Sequence, residues 1–250
     1  MIELKNICKT FGDRNVLNNV SFQFESGKTN LVIGESGSGK TTLLKIMVGL
    51  HQPDEGEVFY NNRTFTKSTE QEKQDIRKEI GMLFQGGALF DSLTLEENVA
   101  FPLDMFSNLS KKEKIDRVNF CLERVNLSGR NKLYPAELSG GMKKRAALAR
   151  AISNHPKYLF CDEPNSGLDP KTSLVIDELI KDVTEEYNIT TIVITHDMNS
   201  VLGIGENILF LYKGNMWWKG NKNEVLTTDN KEMLDFIYAS EFMKKIMPRK

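Results

Sequence analysis

The chain has 250 residues, 40% of them hydrophobic and 27% charged, and its 33 basic against 34 acidic side chains leave a net charge of −1. That length suits one large α/β domain or two small ones with a substantial core, and the balanced charge leaves no footprint for nucleic acid. Cys8, Cys121 and Cys161 are too widely spaced for a metal-ligand pattern or a disulfide framework, which fits a reducing cytosol; no window approaches the ~20 apolar residues of a membrane span, and the N-terminus lacks a signal-peptide layout.

Residues 2–7 and 20–24 alternate apolar and polar side chains, as half-buried antiparallel strands do, and Phe11-Gly12-Asp13 between them reads as a turn that exposes an aromatic. Thr29-Asn30-Leu31-Val32-Ile33 is a buried strand by its β-branched, apolar run. Next come Gly34, Glu35, Ser36, Gly37, Ser38, Gly39, Lys40 and Thr41, which fit G-x-x-x-x-G-K-[ST], with Thr42–Val48 following as a helix that ends near Gly49. Strand, glycine loop and helix together make a polyphosphate cradle. The glycines let successive N–H groups turn inward, and the helix N-terminus adds partial positive charge. Lys40 can then reach the β- and γ-phosphates, the Thr41 hydroxyl a magnesium ion, and Thr42 belongs to the same site. A chance lysine in a glycine-rich turn is the competing reading, and the flanking elements argue against it. The sequence therefore predicts binding of a nucleoside triphosphate.

Gly56–Tyr60 is another strand, Asn61-Asn62 a hairpin turn and Thr64-Phe65 the return; residues 69–78 form a charged, solvated helix, and Ile80–Phe84 is a buried strand ending at Gln85. From 86 to 156 the pattern becomes helical. Thr94 and Ser110 begin [ST]-x-x-[DE] capping patterns, Pro102 is expected to limit the first helix, and Ile115, Val118, Leu122 and Val125 mark the apolar stripe of the second. Ser139 caps a third, through Ala151. The α/β pattern resumes with Tyr158–Glu163, a helix begun by Asp169-Pro170, the strand Thr191–Thr195 before His196, and a hairpin at Lys213-Gly214-Asn215. An amphipathic helix spans roughly 230–246. The organisation expected is a single domain over 1–250, with a core of 1–85 and 157–229, a helical subdomain at 86–156 and a C-terminal helix segment at 230–250.

Asp162 ends an apolar strand, and in an open parallel sheet that end faces the ligand crevice. An acid there can hold magnesium opposite Thr41, and Glu163 is placed to accept a proton from an attacking water. Gln85 and His196 end two more strands. Four such ends imply one shared polar crevice, in which Gln85 can bind magnesium or the water and His196 the γ-phosphate.

With Leu138-Ser139-Gly140-Gly141 added, the sequence resembles the ATP-binding cassette (ABC) transporter ATPases over essentially its whole length. The motifs stand in order: Phe11, the P-loop, Gln85, Leu-Ser-Gly-Gly, Asp162-Glu163, Ser166-Gly167-Leu168-Asp169 and His196. The resemblance implies a P-loop ABC ATPase fold, with a mixed-sheet RecA-like core, an antiparallel β subdomain and an inserted helical subdomain. It also implies ATP and Mg2+ as ligands, and Phe11 stacked on adenine. Ser139, Gly140 and Gly141 are implied to hold the ATP of a second copy in a head-to-tail dimer, and Lys40, Gln85, Glu163 and His196 to carry catalysis. Met142 stands where the family usually has glutamine, followed by Lys143-Lys144-Arg145. No guanine-reading Asn-Lys-x-Asp motif is present, which favours ATP.

The stretch from Phe84 to Leu103, with Leu-Ser-Gly-Gly-Met-Lys-Lys-Arg, is similar to the Mla-type ATPases of MCE phospholipid-transport systems in bacterial envelopes. That resemblance implies a peripheral protein on the cytoplasmic face of the inner membrane. A separate permease would dock near residues 86–103, with Phe101 packed inward and Ala88–Phe90 in an exposed, mobile loop, and an MCE-domain protein would belong to the same complex. An importer ATPase for an amino acid, a metal ion or another small solute is the alternative. A soluble ABC protein without a permease is disfavoured, because neither a second cassette nor a long coiled coil is present.

Overall fold

The structure, a computed structural model, describes residues 1–239. The chain opens with β1 (Ile2–Phe11) and β2 (Arg14–Phe24), then β3 (Thr29–Ile33), α1 (Lys40–Met47), β4 (Glu55–Tyr60), β5 (Arg63–Thr64), α2 (Glu70–Lys78) and β6 (Ile80–Leu83). Three helices follow, α3 (Leu95–Phe106), α4 (Lys111–Arg124) and α5 (Gly140–Ile152). The last part alternates strands and helices: β7 (Tyr158–Asp162), α6 (Pro170–Tyr187), β8 (Thr190–Thr195), α7 (Met198–Ile204), β9 (Asn207–Tyr212), β10 (Asn215–Gly220), α8 (Lys222–Val225) and α9 (Lys231–Ile237).

Two sheets form. A four-stranded sheet has the order β2-β1-β4-β5 and is antiparallel, and a six-stranded sheet has the order β10-β9-β3-β8-β7-β6. In the second sheet β9, β3, β8, β7 and β6 run parallel, with β10 antiparallel on the edge. Its strands read as continuous apolar runs because both faces are covered. The period of two sorts their side chains: Leu31, Ile33, Leu159, Cys161, Val193, Ile208 and Phe210 join the core shared with α3 to α7. Val32, Phe160, Ile192, Ile194, Leu209 and Leu211 face the other way, onto α1 and the antiparallel sheet.

The expected capping is realised at α3 and α4, where Thr94 and Ser110 form reciprocal boxes with Glu97 and Glu113, and Thr69 forms a third with Glu72 at α2. Pro102 does not limit α3, which runs on to Phe106. Val99 before it and Leu103 after it are both fully buried, and that packing outweighs the backbone bond the proline cannot make. Ile115 is 51% exposed, and Cys121 takes its place beside Val118, Leu122 and Val125 on the buried stripe of α4. Phe101 is not packed inward; it stays exposed against Phe90, with ring centroids 4.8 Å apart. The expected C-terminal helix begins as α9, and its continuation over 240–250 lies outside the described residues.

Candidate functional site

The P-loop is braced from two sides. Gly34 and Gly39 have φ of 148° and 108°, and a Cβ on either would strike main chain, Leu211 O at 2.2 Å or Val16 O at 2.9 Å. Only glycine lets the loop sit this close to β9 and β2. The β9–β10 turn completes the brace, since Gly214 N donates to Ser38 O at 3.1 Å. Lys40 opens α1 yet folds back over its own loop, donating from Nζ to Gly34 O (2.8 Å) and Glu35 O (2.9 Å). Burial lowers its pKa, and the Glu163, Asp162 and Glu35 carboxylates oppose that shift. A buried ammonium held only by carbonyls is ready to exchange them for phosphate oxygens.

The cleft above the loop has a volume of about 1120 Å³. Its wall carries Phe11, Glu35, Ser36, Gly37, Gly39, Lys40, Thr41, Thr42, Gln85, Glu163 and His196 from the expected set. Phe11 is exposed at one end, edge-on to His51 with Lys9 Nζ 5.3 Å from its ring centre. Gly34 and Ser38 lie under the loop and do not reach the wall, and Asp162 stands half-buried behind it. Burial raises the Asp162 pKa, with the Glu163 charge beside it as the second cause and Lys40 opposing. Ser139, Gly140 and Gly141 are not on this wall. They start α5, where Ser139 Oγ accepts from Met142 N at 3.3 Å, and a Cβ on Gly141 would meet Thr172 Cγ2 at 2.5 Å.

Glu163 leaves β7 in the left-handed region, φ 46°, which turns its side chain into the cleft at a cost in backbone strain. Its N–H donates to Ile194 O at 2.9 Å, and its Oε1 lies 2.9 Å from His196 Nδ1. Gln85 Nε2 donates to Ser166 Oγ at 3.2 Å. A base on a second carboxylate oxygen, an aligned histidine and a polar amide can thus act on one water beside one phosphate.

The wall also holds residues that sequence reasoning did not single out as site residues: Arg14, Val16, Asn165, Met198 and Asn199, and from the C-terminal segment Phe236, Ile237 and Ala239. Asn165 is anchored by Asp177 Oδ1 (2.8 Å) and Ser200 Oγ (3.0 Å), and burial pushes the Asp177 carboxyl up to about 6. Ser166 stood in the Ser-Gly-Leu-Asp motif and gave a signal; Arg14 and the C-terminal residues gave none.

A ligand that fills this cleft can lay a planar base on Phe11 and a polyphosphate on the P-loop at the carboxyl edge of a parallel sheet, which defines the class of P-loop nucleoside triphosphatases. The sequence matches the ABC transporter family over residues 17–166. The chain belongs to that family and is an ATP-hydrolysing subunit of an ABC transporter. It is 38% identical to the intermembrane phospholipid transport system ATP-binding protein MlaF of Haemophilus influenzae, over 95% of this chain and 90% of that one. It is also 38% identical to the methionine import ATP-binding protein MetN of Campylobacter jejuni, over 97% of this chain and 77% of that one. A solved ATP-binding cassette, a dimer in a post-hydrolysis state with ADP and Pi, superposes with a TM-score of 0.80 at 35% identity, covering 89% of this chain and 99% of the cassette. Among the described residues no helix is long and apolar enough to cross a membrane.

Proposed function

We propose that this chain drives a membrane permease for phospholipid, as a head-to-tail dimer on the cytoplasmic face of the cell membrane. The observation that carries the dimer is the separation of two phosphate-binding elements. The P-loop shares a cleft with Gln85, Glu163 and His196, whereas Ser139–Gly141 lies off that wall at the N-terminus of α5. One chain offers half of each of two sites, and a second copy turned head to tail completes both; the dimeric cassette supports the pairing of two copies. An exposed apolar cavity of about 420 Å³ between β6, the loop after it and α3 is the permease site, lined by Met82, Phe84, Phe90, Phe101 and Phe106. Exposed aromatics grouped this way mark a partner surface.

In each site Lys40 neutralises the β- and γ-phosphates and Phe11 stacks on adenine. Glu163 takes the proton of the attacking water on Oε2 while His196 holds Oε1. Thr41, Gln85 and Asp162 would hold Mg2+, and the fit is good: all three are oxygen donors, and only one is a carboxylate. Among the described residues no group of three or more His, Cys, Asp or Glu can hold a metal by itself, which suits an ion that arrives with the nucleotide's phosphates. When bound, the ion neutralises charge developing on the transferred phosphoryl group.

The phospholipid substrate rests on the relative from Haemophilus influenzae and on residues 84–103 with Leu138–Arg145. The methionine-import relative at equal identity makes an amino-acid importer the second reading. Purifying the tagged chain from its own membranes and identifying what accompanies it separates the two. A permease with an MCE-domain protein and bound phospholipid is the expected result; a periplasmic amino-acid receptor in their place would overturn the lipid assignment.

A further inference from the structure

Lys144 lies one turn inside α5, four residues past Gly140, and is 6% exposed. Its ammonium is held by two main-chain carbonyls that belong to separate loops, donating to Gln85 O and, at 3.3 Å, to Glu163 O. Both acceptors are residues of the ATP cleft. Glu163 needs such a hold, since its backbone sits at φ 46°; its N–H donates to Ile194 O at 2.9 Å, and its carbonyl accepts from Ser166 N at 3.1 Å as well as from Lys144. Gln85 lies beyond the end of β6, exposed and outside the sheet ladder. Neutral side chains of similar length cannot replace the clamp, because only an ammonium offers several donors from one point. A hydrogen bond from a charged donor is stronger than one from a neutral group, so one ammonium can fix both loops.

We propose that Lys144 is a positioning residue that sets the main chain of Gln85 and Glu163 from the signature helix. Resting on the head-to-tail dimer proposed above, it has a second consequence. The N-terminus of α5 faces one ATP through Ser139, while Gln85 and Glu163 of the same chain serve the other. Lys144 is separated from Ser139 by about 7.5 Å of rigid helix, so seating Ser139–Gly141 on one nucleotide moves the catalytic pair of the next through a single side chain. Burial lowers the Lys144 pKa, and Cys161, Asp162 and Glu163 oppose that shift.

The test uses the purified full-length chain with Lys144→Met, which keeps the apolar stem and removes every donor, and Lys144→Arg, which keeps donors. Steady-state hydrolysis against ATP concentration, melting temperature and nucleotide affinity are measured for each. In Lys144→Met, kcat falls about tenfold or more with KM within about twofold, as expected when only the transition state is misaligned. The Hill coefficient drops toward one, and Lys144→Arg regains most of kcat. A Lys144→Met enzyme with kcat and Hill coefficient of the wild type would overturn the proposal. So would equal losses of kcat in both variants that follow their melting temperatures, since that is packing alone. ATP-driven dimerisation in the Glu163→Gln background, followed by light scattering, reports on the dimer by itself. Monomers there would overturn the link between sites, whatever Lys144→Met does to kcat.

Discussion

Glu163 and Asp177 illustrate what single residues carry. Glu163 combines a strained backbone, a histidine partner at 2.9 Å and a place on the nucleotide wall. Glu163→Gln keeps the shape and loses the proton acceptor, so turnover should fall about 10²–10⁴-fold with ATP affinity nearly unchanged, measured by phosphate release and equilibrium binding. Lys40→Ala should lose both, because the ammonium that takes the phosphates is gone. Asp177 tests a different property. Its carboxyl is raised to about 6 by burial, opposed by Ser200 and Asn165, against an ordinary 3.8. The folded state therefore holds the proton more tightly than the unfolded one, and stability falls as pH climbs from about 4 to 6, by up to about 1.4 kcal/mol per unit. In Asp177→Asn that contribution disappears, and the added amide can donate to Asn165 Oδ1, which is buried and has no hydrogen-bond partner among the described residues. Melting curves of both proteins between pH 4 and 7.5 decide the matter: the wild-type minus variant difference should decline with pH, and a flat difference would remove Asp177 as the titrating group.

At the scale of elements, α5 gathers loops by their carbonyls. Lys144 holds Gln85 and Glu163, Arg145 the carbonyls of Val125 and Asn126, and Arg150 those of Gly87 (2.9 Å) and Ala88 (2.7 Å). Asn98 adds Phe90, accepting from its N–H at 2.8 Å and donating to its carbonyl at 3.1 Å. The loop 86–90 is thus pinned while Phe90 stays 42% exposed against Phe101. Phe90→Asp should leave ATP binding intact and weaken co-purification with the permease, since burying a charge in an apolar contact is costly; unaltered assembly would dismiss this loop as the docking site. The capping boxes, the buried parallel strands and the P-loop were legible because each depends on residues close in sequence. Pro102, Ile115 and Phe101 were misread because packing from distant elements decides them. Lys143-Lys144-Arg145 is a plain run of cations in the sequence, and only the fold reveals that two of the three point at main chain. Asp162, Glu163, Gln85 and His196 were readable as strand ends, whereas Arg14 reaches the cleft from a hairpin that no local pattern connects to the P-loop.

For the whole molecule the decisive question is how two copies meet. The Ser139 end of α5 is exposed at Ser139 and Gly140, and the P-loop rim is exposed at Glu35, Ser36 and Gly37, so neither surface is capped by the described residues of its own chain. A head-to-tail pair places Ser36 of one copy against Ser139 of the other, and twofold symmetry repeats that contact at the second nucleotide. Single cysteines distinguish this from every other pairing. Cys121 and Cys161 are buried and inert to a cross-linker, with burial raising the Cys121 thiol to about 11, so a Cys8→Ser background leaves the introduced thiol as the reactive one among the described residues. In the Glu163→Gln chain, Ser36→Cys and Ser139→Cys are made separately, loaded with ATP and treated with a short bifunctional reagent. Neither protein alone should form a covalent dimer, because each carries its cysteine opposite an unmodified serine. The equimolar mixture should form one, and ADP in place of ATP should abolish it, since the γ-phosphate is the group both halves share. Covalent dimers of Ser139→Cys alone would indicate that the signature ends meet each other, and the head-to-tail arrangement would have to be abandoned.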